Sequence, residues 1–326
     1  WYVSREVDDL AYQIVKYQQR DQWSHGDLLR LAHPKAPSRE HDAVFRWALK
    51  GTDLGERTIT RRVNGEPRPV TYQAAGQLPG LVHAFEQAKR AESKAEIVSL
   101  ITDYNLPREA IPTQWLNELQ VWEALLPRMP MTAMIRNLGK MTALGLVQPF
   151  SEAALFIQRK LSDQTALKRA RIHPMAILIA LKVYAQGRGE KGKLTWQPVT
   201  KIVDALDQAF YASFANVEPC RKPVLLALDV SGSMDGTSIA GSCLTAREAS
   251  AAMALITAAT EPDHEIIAFS APKGGGYGGQ FDRTESGITR VSLSRLMRLD
   301  DVVNSVRAIP MGGTECALPM FWAQRS

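Results

Sequence analysis

Cysteine is scarce in this sequence, and its scarcity excludes several kinds of protein. The 326 residues contain three cysteines, Cys220, Cys243 and Cys316. They are widely spaced and form no metal-binding pattern, which excludes a disulfide-stapled scaffold and a zinc quartet. The simplest interpretation is a reduced, cytoplasmic compartment.

Long apolar runs are missing as well. No stretch approaches the ~18 apolar residues that cross a bilayer, and no signal peptide is visible, so we expect no membrane partner. Hydrophobic residues make up 45% of the chain and charged residues 22%, which is ordinary for a globular protein. At about 100–200 residues per domain, the length predicts two domains.

Common catalytic motifs are also absent. The sequence has no Walker loop and no paired-carboxylate nuclease motif. The stretch from Gly232 to Gly236 misses the Gly-x-Ser-x-Gly spacing of a nucleophile elbow. After residue 216 the chain has one histidine, His264, so Ser233 lacks an evident general base. We predict that the protein is not an enzyme.

Charge divides the chain into two parts. Residues 1–216 hold 29 Lys and Arg against 22 Asp and Glu, whereas residues 217–326 hold 10 against 12. A basic surface attracts polyanions. Solvated helix faces on an alkaline protein are an equally good interpretation of the charge alone.

The basic part has helical periodicity throughout, apart from a polar, glycine- and proline-rich stretch at 51–76 that predicts an irregular insertion. Short helices joined by short connections are typical of a helical-repeat solenoid, with an irregular helical domain as the alternative. The predicted helices begin near Leu10 and then cover residues 24–32, 41–50, 81–91, 94–104, 107–110, 114–126, 132–144, 151–160, 174–185 and 199–212.

The character of the sequence changes near residue 219. An apolar run, Val224–Leu228, ends in Asp229 and predicts a strand buried on both faces. A helix at 245–260, a buried strand at 265–270 and a helix ending at 309 follow, with a flexible glycine-rich loop at 273–279. This β-α-β-α order favours an α/β doubly wound parallel sheet.

Oxygen ligands follow the first strand. Asp229, Ser231 and Ser233 lie at alternate positions where the strand ends, at the edge where α/β sheets hold ligands. A carboxylate and two hydroxyls suit a hard divalent ion, most simply Mg²⁺. The loop at 310–314 offers a further hydroxyl, Thr314, at the start of the next helix.

This arrangement resembles the metal-ion-dependent adhesion site of the von Willebrand factor A fold, which is Rossmann-like. The resemblance implies that Asp229, Ser231, Ser233 and Thr314 are metal ligands. In that family a third loop, after a later strand, supplies a further Asp, and this chain ends before that strand. We therefore expect residues 217–326 to be the N-terminal part of such a domain.

The basic part resembles the TROVE module of the Ro autoantigen family in its bacterial form. In that family the module precedes a von Willebrand A domain, which is the order found here. The resemblance makes residues 1–216 the C-terminal part of the module, so that the chain is truncated at both ends. It rests on KYQQRDQWSHGDLLRLAH (16–33), MPMTAMIRNLGKMT (129–142), RIHP (171–174) and GKLTW (192–196).

The resemblance implies an RNA-binding protein built as a monomeric ring of HEAT-like helical repeats. Family members bind small noncoding Y RNAs on the outer surface and single-stranded ends of misfolded RNAs in the central hole. Bacterial relatives work with exoribonucleases in RNA maturation and decay. The family's Y RNA contacts fall on Lys16, Arg20 and His33. His33 precedes a proline, so the alternative interpretation is that His33 only ends a helix and does not contact RNA.

Further candidates come from spacing. Lys16 and Arg20, four apart, are expected on one helical face, and Arg30 accompanies His33 on the next helix. Arg136 and Lys140 form a second basic pair, which either guides a single strand or has a structural role with Arg136 beside a buried carboxylate.

Two further expectations concern aromatics and function. Trp23 and Trp122, which lie near these motifs, are expected in the core and not as base-stacking platforms, because both have helical spacing from apolar neighbours. The alternative function is a metal-dependent protein-interaction module, in which a partner's carboxylate completes the coordination of the ion.

Overall fold

The computed structural model describes residues 1–52, 54–63, 66–72, 76–190, 192–239, 242–270, 287–310 and 312–325. The chain divides into two compact units, Trp1–Met129 and Pro130–Ser326. The predicted glycine-rich loop at 273–279 lies outside the described residues.

The first unit is helical, with two small antiparallel hairpins. Its helices are α1 (Val7–Lys16), α2 (His25–Ala32), α3 (Arg39–Lys50), α4 (Gly80–Ala88), α5 (Lys94–Tyr104) and α6 (Leu119–Leu125). Its strands are β1 (Gln19–Arg20), β2 (Trp23–Ser24), β3 (Arg57–Val63) and β4 (Glu66–Tyr72).

The second unit continues the helices and adds a sheet. Its helices are α7 (Met131–Ala143), α8 (Glu152–Ser162), α9 (Gln164–Ala170), α10 (Pro174–Ala185), α11 (Thr200–Ala212), α12 (Ser233–Gly236), α13 (Ala246–Thr260), α14 (Leu299–Arg307) and α15 (Leu318–Arg325). Its strands are β5 (Val224–Asp229), β6 (His264–Phe269) and β7 (Ile288–Arg290).

Most predicted helices are confirmed, and proline explains where they differ. The predicted helix at 107–110 is a single 3-10 turn, Arg108–Ala110. The one predicted at 114–126 is broken into a 3-10 turn, α6 and a second 3-10 turn. Prolines at 107, 112 and 127 precede or begin these turns, where a missing N–H costs little. Helix α9 was not predicted.

The prediction of an irregular insertion at 51–76 is wrong, because β3 and β4 form a regular hairpin there. Their register runs from Arg57 opposite Tyr72 to Val63 opposite Glu66. Pro67 and Pro69 occupy alternate positions of β4, so both fall where the backbone N–H would point away from β3. Asn-Gly at 64–65 between two β-prone runs was the available signal.

The sheet of the second unit also departs from prediction. Strands β5 and β6 are parallel, from Val224 opposite His264 to Asp229 opposite Phe269. However, β7 joins β6 antiparallel, so the described sheet is mixed, in the order β5-β6-β7. The expectation that β5 is buried on both faces is wrong: it is largely half-buried, and β6, which has a neighbour on each side, is the more buried strand.

Tyr184 organises the helical core of the second unit. Its ring is 2% exposed, and its hydroxyl bonds Thr142 Oγ1 of α7 at 3.0 Å. The same oxygen accepts the Val199 N–H, just before α11, at 3.2 Å. Trp196 stacks on the Tyr184 ring at 6.2 Å between centroids and donates Nε1–H to its carbonyl at 2.9 Å. One side chain thus ties three helices together.

The Trp196 ring fixes a small residue in α7. A Cβ added at Gly139 would meet ring carbons of Trp196 at 2.7 Å, which is closer than packed atoms approach. Packing against the Trp196 ring therefore requires a glycine at position 139, although glycine weakens a helix interior.

We predict that Gly139→Ala destabilises the chain. The expected overpacking cost of about 1–3 kcal/mol exceeds the helix-propensity gain of about 1 kcal/mol. Urea unfolding followed by circular dichroism measures the change. In Trp196→Leu the same glycine substitution should cost less, and a rise in the midpoint for Gly139→Ala in the wild-type background would contradict the packing argument.

Candidate functional site

Residues 16–33 of the first unit run from the end of α1 through the β1–β2 hairpin and α2. Lys16 is the last residue of α1 and is half-buried. Its Nζ lies 5.5 Å from the Tyr12 ring centroid and 5.4 Å from that of Tyr17. Aromatic faces attract an ammonium group, and they hold this one at the helix end.

The prediction that Lys16 and Arg20 share a helical face is wrong. Helix α1 ends at Lys16, and Arg20 lies in β1, opposite Trp23. The turn between Arg20 and Trp23 places two consecutive non-glycine residues in the left-handed region, Asp21 at φ 50° and Gln22 at φ 70°. That backbone folds the chain back at once and cannot continue a helix.

Arg20 points into solvent. Its side chain is 77% exposed, and Asp21, 92% exposed, lies 3.9 Å from its Nε. An exposed pair of this kind contributes about 0.2–1 kcal/mol. The guanidinium is therefore available to a ligand at little cost.

Ser24 anchors the hairpin to α2 through a capping box. Its hydroxyl accepts the Asp27 N–H at 3.2 Å, and its own N–H donates to Asp27 Oδ2 at 3.1 Å. The Ser24 hydroxyl and N–H hold the pKa of the Asp27 carboxyl below its usual value, with further help from Arg30. Arg30 is 60% exposed and pairs with that carboxylate at 3.2 Å.

His33 ends α2 and is also exposed. It is the C-cap, with φ 42°, and its N–H donates to the Leu29 carbonyl at 3.1 Å. In the described part of the chain its ring has no hydrogen-bond or ion-pair partner. His33 thus has a local structural role and an accessible imidazole at once.

The two tryptophans expected in the core have different environments. Trp122 is 1% exposed and donates Nε1–H to the Leu116 carbonyl at 2.9 Å, so that expectation is confirmed. Trp23 is 52% exposed, so the expectation is wrong for it. Periodicity failed because Trp23 belongs to a strand of the hairpin and not to a helix.

The second basic pair lies on α7 of the other unit. Arg136 is exposed and Lys140 half-buried, and Asn137 between them donates Nδ2–H to the Ala133 carbonyl at 2.7 Å. Among the described residues Arg136 has no ion-pair partner, and both interpretations of this basic pair stay predictions.

The loop after β5 brings oxygen atoms together. The Ser231 N–H donates to Asp229 Oδ1 at 2.7 Å, and the hydroxyl oxygens of Ser231 and Ser233 lie 3.1 Å apart. Ligands at right angles on Mg²⁺ are separated by about 2.9 Å, since each bond is about 2.0–2.1 Å. The separation of the two hydroxyl oxygens is therefore close to that of two neighbouring ligands on such an ion.

Thr314 is placed differently from expectation. It is exposed and lies in coil, whereas α15 begins only at Leu318, so it does not start the next helix. Among the described residues no hydrogen bond links it to Asp229, Ser231 or Ser233. Its membership of the site stays a prediction.

Arg247 supports this loop and was missed by sequence reasoning. Its side chain is 0% exposed and donates Nε–H to Asp235 Oδ1 at 2.7 Å. Its Nη2 donates to the carbonyls of Val230 and Ser231 at 3.4 and 3.2 Å. The guanidinium thus clamps the backbone that carries the hydroxyls. Its position among alanines in the first turn of α13 was the only signal in the sequence.

The helix that carries Arg247 is itself well anchored. Thr245 and Glu248 form a capping box at its N-terminus. Partial burial opposes ionisation of Glu248, but the Thr245 N–H and the Lys182 ammonium, 3.2 Å away, hold the pKa of its carboxyl below its usual value.

Membrane-spanning segments are not found: within the described ranges no helix combines the length and apolar character needed to cross a bilayer.

The chain is similar to known proteins over nearly its whole length. It is 39% identical to the RNA-binding protein RO60 of Caenorhabditis elegans and 37% identical to that of Deinococcus radiodurans, in both cases over 99% of this chain. It covers 52% and 55% of those proteins. It therefore spans about half the length of the curated relatives it matches.

A solved structure shows the same similarity. The crystal structure of the Deinococcus radiodurans Ro (RSR) protein matches with a TM-score of 0.74 and 34% identity, over 99% of this chain and 59% of that one. The TROVE domain family model matches residues 3–222, and the Ro60 vWA domain model matches residues 223–326. The predicted fold class of a helical module followed by a von Willebrand A domain is confirmed, and the chain belongs to the TROVE-domain family, with a Ro60-type von Willebrand factor A domain after its TROVE domain.

Proposed function

We propose that this chain is a non-enzymatic RNA-binding protein whose first unit holds RNA on the surface formed by residues 16–33. The observation that carries the proposal is the exposure of Arg20, whose guanidinium has only a weak exposed partner. Lys16, Arg30 and His33 supply further donors on the same short segment. The names of the relatives support it, since both are RNA-binding proteins.

The bound RNA is proposed to be a small structured RNA of the Y type. Duplex RNA is recognised by shape, phosphates and 2′-hydroxyls and not by base sequence. Scattered cations and an imidazole suit such contacts. We place the protein in the cytoplasm, in RNA quality control, maturation or decay, with an exoribonuclease as partner.

Arg136 and Lys140 are proposed to contact single-stranded ends of misfolded RNA. A pair of cations one helical turn apart can follow a phosphate backbone. In the complete protein we expect a monomeric ring to present this pair at its hole.

The second unit is proposed to bind Mg²⁺ through Asp229, Ser231 and Ser233, with Thr314 as a further ligand. The 3.1 Å separation of the two hydroxyl oxygens and the buried Arg247 clamp support this proposal. The ion would leave a coordination position for a carboxylate of a partner, so metal-dependent protein interaction is the second candidate function.

We predict that Lys16→Glu combined with Arg20→Glu weakens binding of a structured small RNA by about tenfold or more at moderate salt. Two lost phosphate contacts should also reduce the slope of log K against log salt by about 2. Fluorescence anisotropy at several salt concentrations measures both quantities.

The matched control reverses two exposed cations elsewhere in the first unit, Lys50→Glu with Arg90→Glu. It makes the same change in net charge. Equal weakening by both double variants would mean that general charge, and not the 16–33 surface, attracts the RNA.

We also predict that the chain binds Mn²⁺, used as a paramagnetic substitute for Mg²⁺, and that Asp229→Ala abolishes this binding. Loss of the carboxylate removes the ligand that carries negative charge. Electron paramagnetic resonance measures free Mn²⁺, and an excess of Mg²⁺ should displace the bound ion and restore the free Mn²⁺ signal.

Asp263→Ala is the control, because Asp263 is exposed and precedes β6. RNA binding of Asp229→Ala should equal that of the wild type. If Asp229→Ala retains the Mn²⁺, the proposed metal loop is wrong.

A further inference from the structure

Trp23 carries a role that neither its spacing nor the comparisons assign. We propose that its indole is a stacking platform for an unpaired RNA base, and that Arg20 on the same face binds the adjoining phosphate. This inference rests on the proposed RNA-binding function of the 16–33 surface and names the nucleotide chemistry that the surface takes.

The first observation is the exposure of the indole. Trp23 is 52% exposed, whereas Trp122 is 1% and Trp47 7% exposed. Trp1 is also exposed, but its ring is stacked on His25 at 5.8 Å and covered by Arg5 at 4.7 Å. Within the described part of the chain, no ring or cation contacts the Trp23 indole. About half of the residue is therefore accessible to a ligand.

The second observation is the backbone that holds the indole out. Arg20 and Trp23 are partners across a two-residue turn, so their side chains emerge on the same face of the hairpin. Asp21 and Gln22 both have positive φ, a conformation that costs energy in residues other than glycine and clusters at functional sites.

The hairpin is also fixed at the other end. The residue after Trp23 is Ser24, whose side chain and N–H are both bound to Asp27. The backbone of Trp23 thus lies between a tight turn and a helix cap. A ligand that stacks on the ring meets a preorganised surface, which lowers the entropy cost of binding.

The third observation is the charge around the ring. Residues 16–35 contain four Lys and Arg against two Asp, and the Arg20 side chain is 77% exposed. A nucleotide has an aromatic face and an anionic phosphate, and aromatic platforms beside cations are the usual way to hold unpaired nucleotides. Helix α2 also exposes Leu28 and Leu31, which suit an apolar surface of a protein partner. Binding of a protein in place of RNA is therefore the competing hypothesis for this surface.

The test compares two probes with the whole chain: a hairpin RNA with an unpaired loop and a blunt duplex of the same length. Trp23→Ala should weaken binding of the loop RNA by about 5- to 150-fold, the range for loss of one stacked base. The salt slope should stay unchanged, because no phosphate contact is removed. Binding of the duplex should be unaffected, and Trp23→Phe should keep most of the affinity because the ring remains.

Two variants separate stacking from charge and from folding. Arg20→Ala should reduce the salt slope by about 1 on both probes. Tyr104→Ala removes an exposed aromatic side chain from α5 and should change nothing. Quenching of tryptophan fluorescence by the loop RNA should be smaller in Trp23→Phe than in the wild type, which reports stacking directly.

The outcomes distinguish the inference from the function it rests on. If Trp23→Ala binds the loop RNA as the wild type does while Lys16→Glu with Arg20→Glu weakens it, the stacking platform is wrong and RNA binding by this surface stands. If Trp23→Ala weakens both probes equally, the ring has no role specific to unpaired bases and the inference is wrong. If the wild type binds neither probe, the proposed function itself fails.

Discussion

The helices of residues 7–212 are only 7 to 13 residues long, and helices of that length are marginal in water unless they pack on a neighbour. Each must therefore commit an apolar stripe to the core, as α1 does with Leu10, Ala11, Ile14 and Val15. The remaining faces are left to polar and basic side chains. The most exposed candidate RNA contact, Arg20, lies on a surface that these stripes do not use, so it can change at little cost in stability.

In the second unit the helices pack on the sheet as well as on one another. The first turn of α13 caps itself through Thr245, pairs Glu248 with Lys182 of α10, and buries Arg247 against the loop after β5. The N–H of Leu299, at the start of α14, donates to the Tyr211 hydroxyl of α11 at 2.8 Å. Helical repeats and the A-type fold therefore share polar contacts in this unit, and the loop proposed to hold metal is positioned by a helix that the repeats also hold.

Strain and exposure coincide in the first unit. Tryptophan is usually buried in folded proteins, and residues other than glycine usually avoid positive φ. The hairpin at 19–24 departs from both tendencies. Its two left-handed residues and its exposed indole lie beside the cation that carries the RNA-binding proposal. Burial explains Trp122, whose indole N–H finds a carbonyl in the core. For Trp23 the fold offers no such account, and the proposed stacking on an RNA base would supply one.

The sequence by itself determined most helix positions and the β5–α13–β6 order, and it placed the candidate oxygen ligands after β5, because periodicity and apolar runs are local properties. It also identified the family, through motifs that keep their order along the chain. Only the tertiary structure decided that Arg20 leaves the helix of Lys16, that Trp23 faces solvent, and that Arg247 clamps the loop of Ser231. Each of these depends on a turn or on contacts between residues distant in sequence. Such contacts are set by which surfaces pack together, and a one-dimensional pattern does not record that.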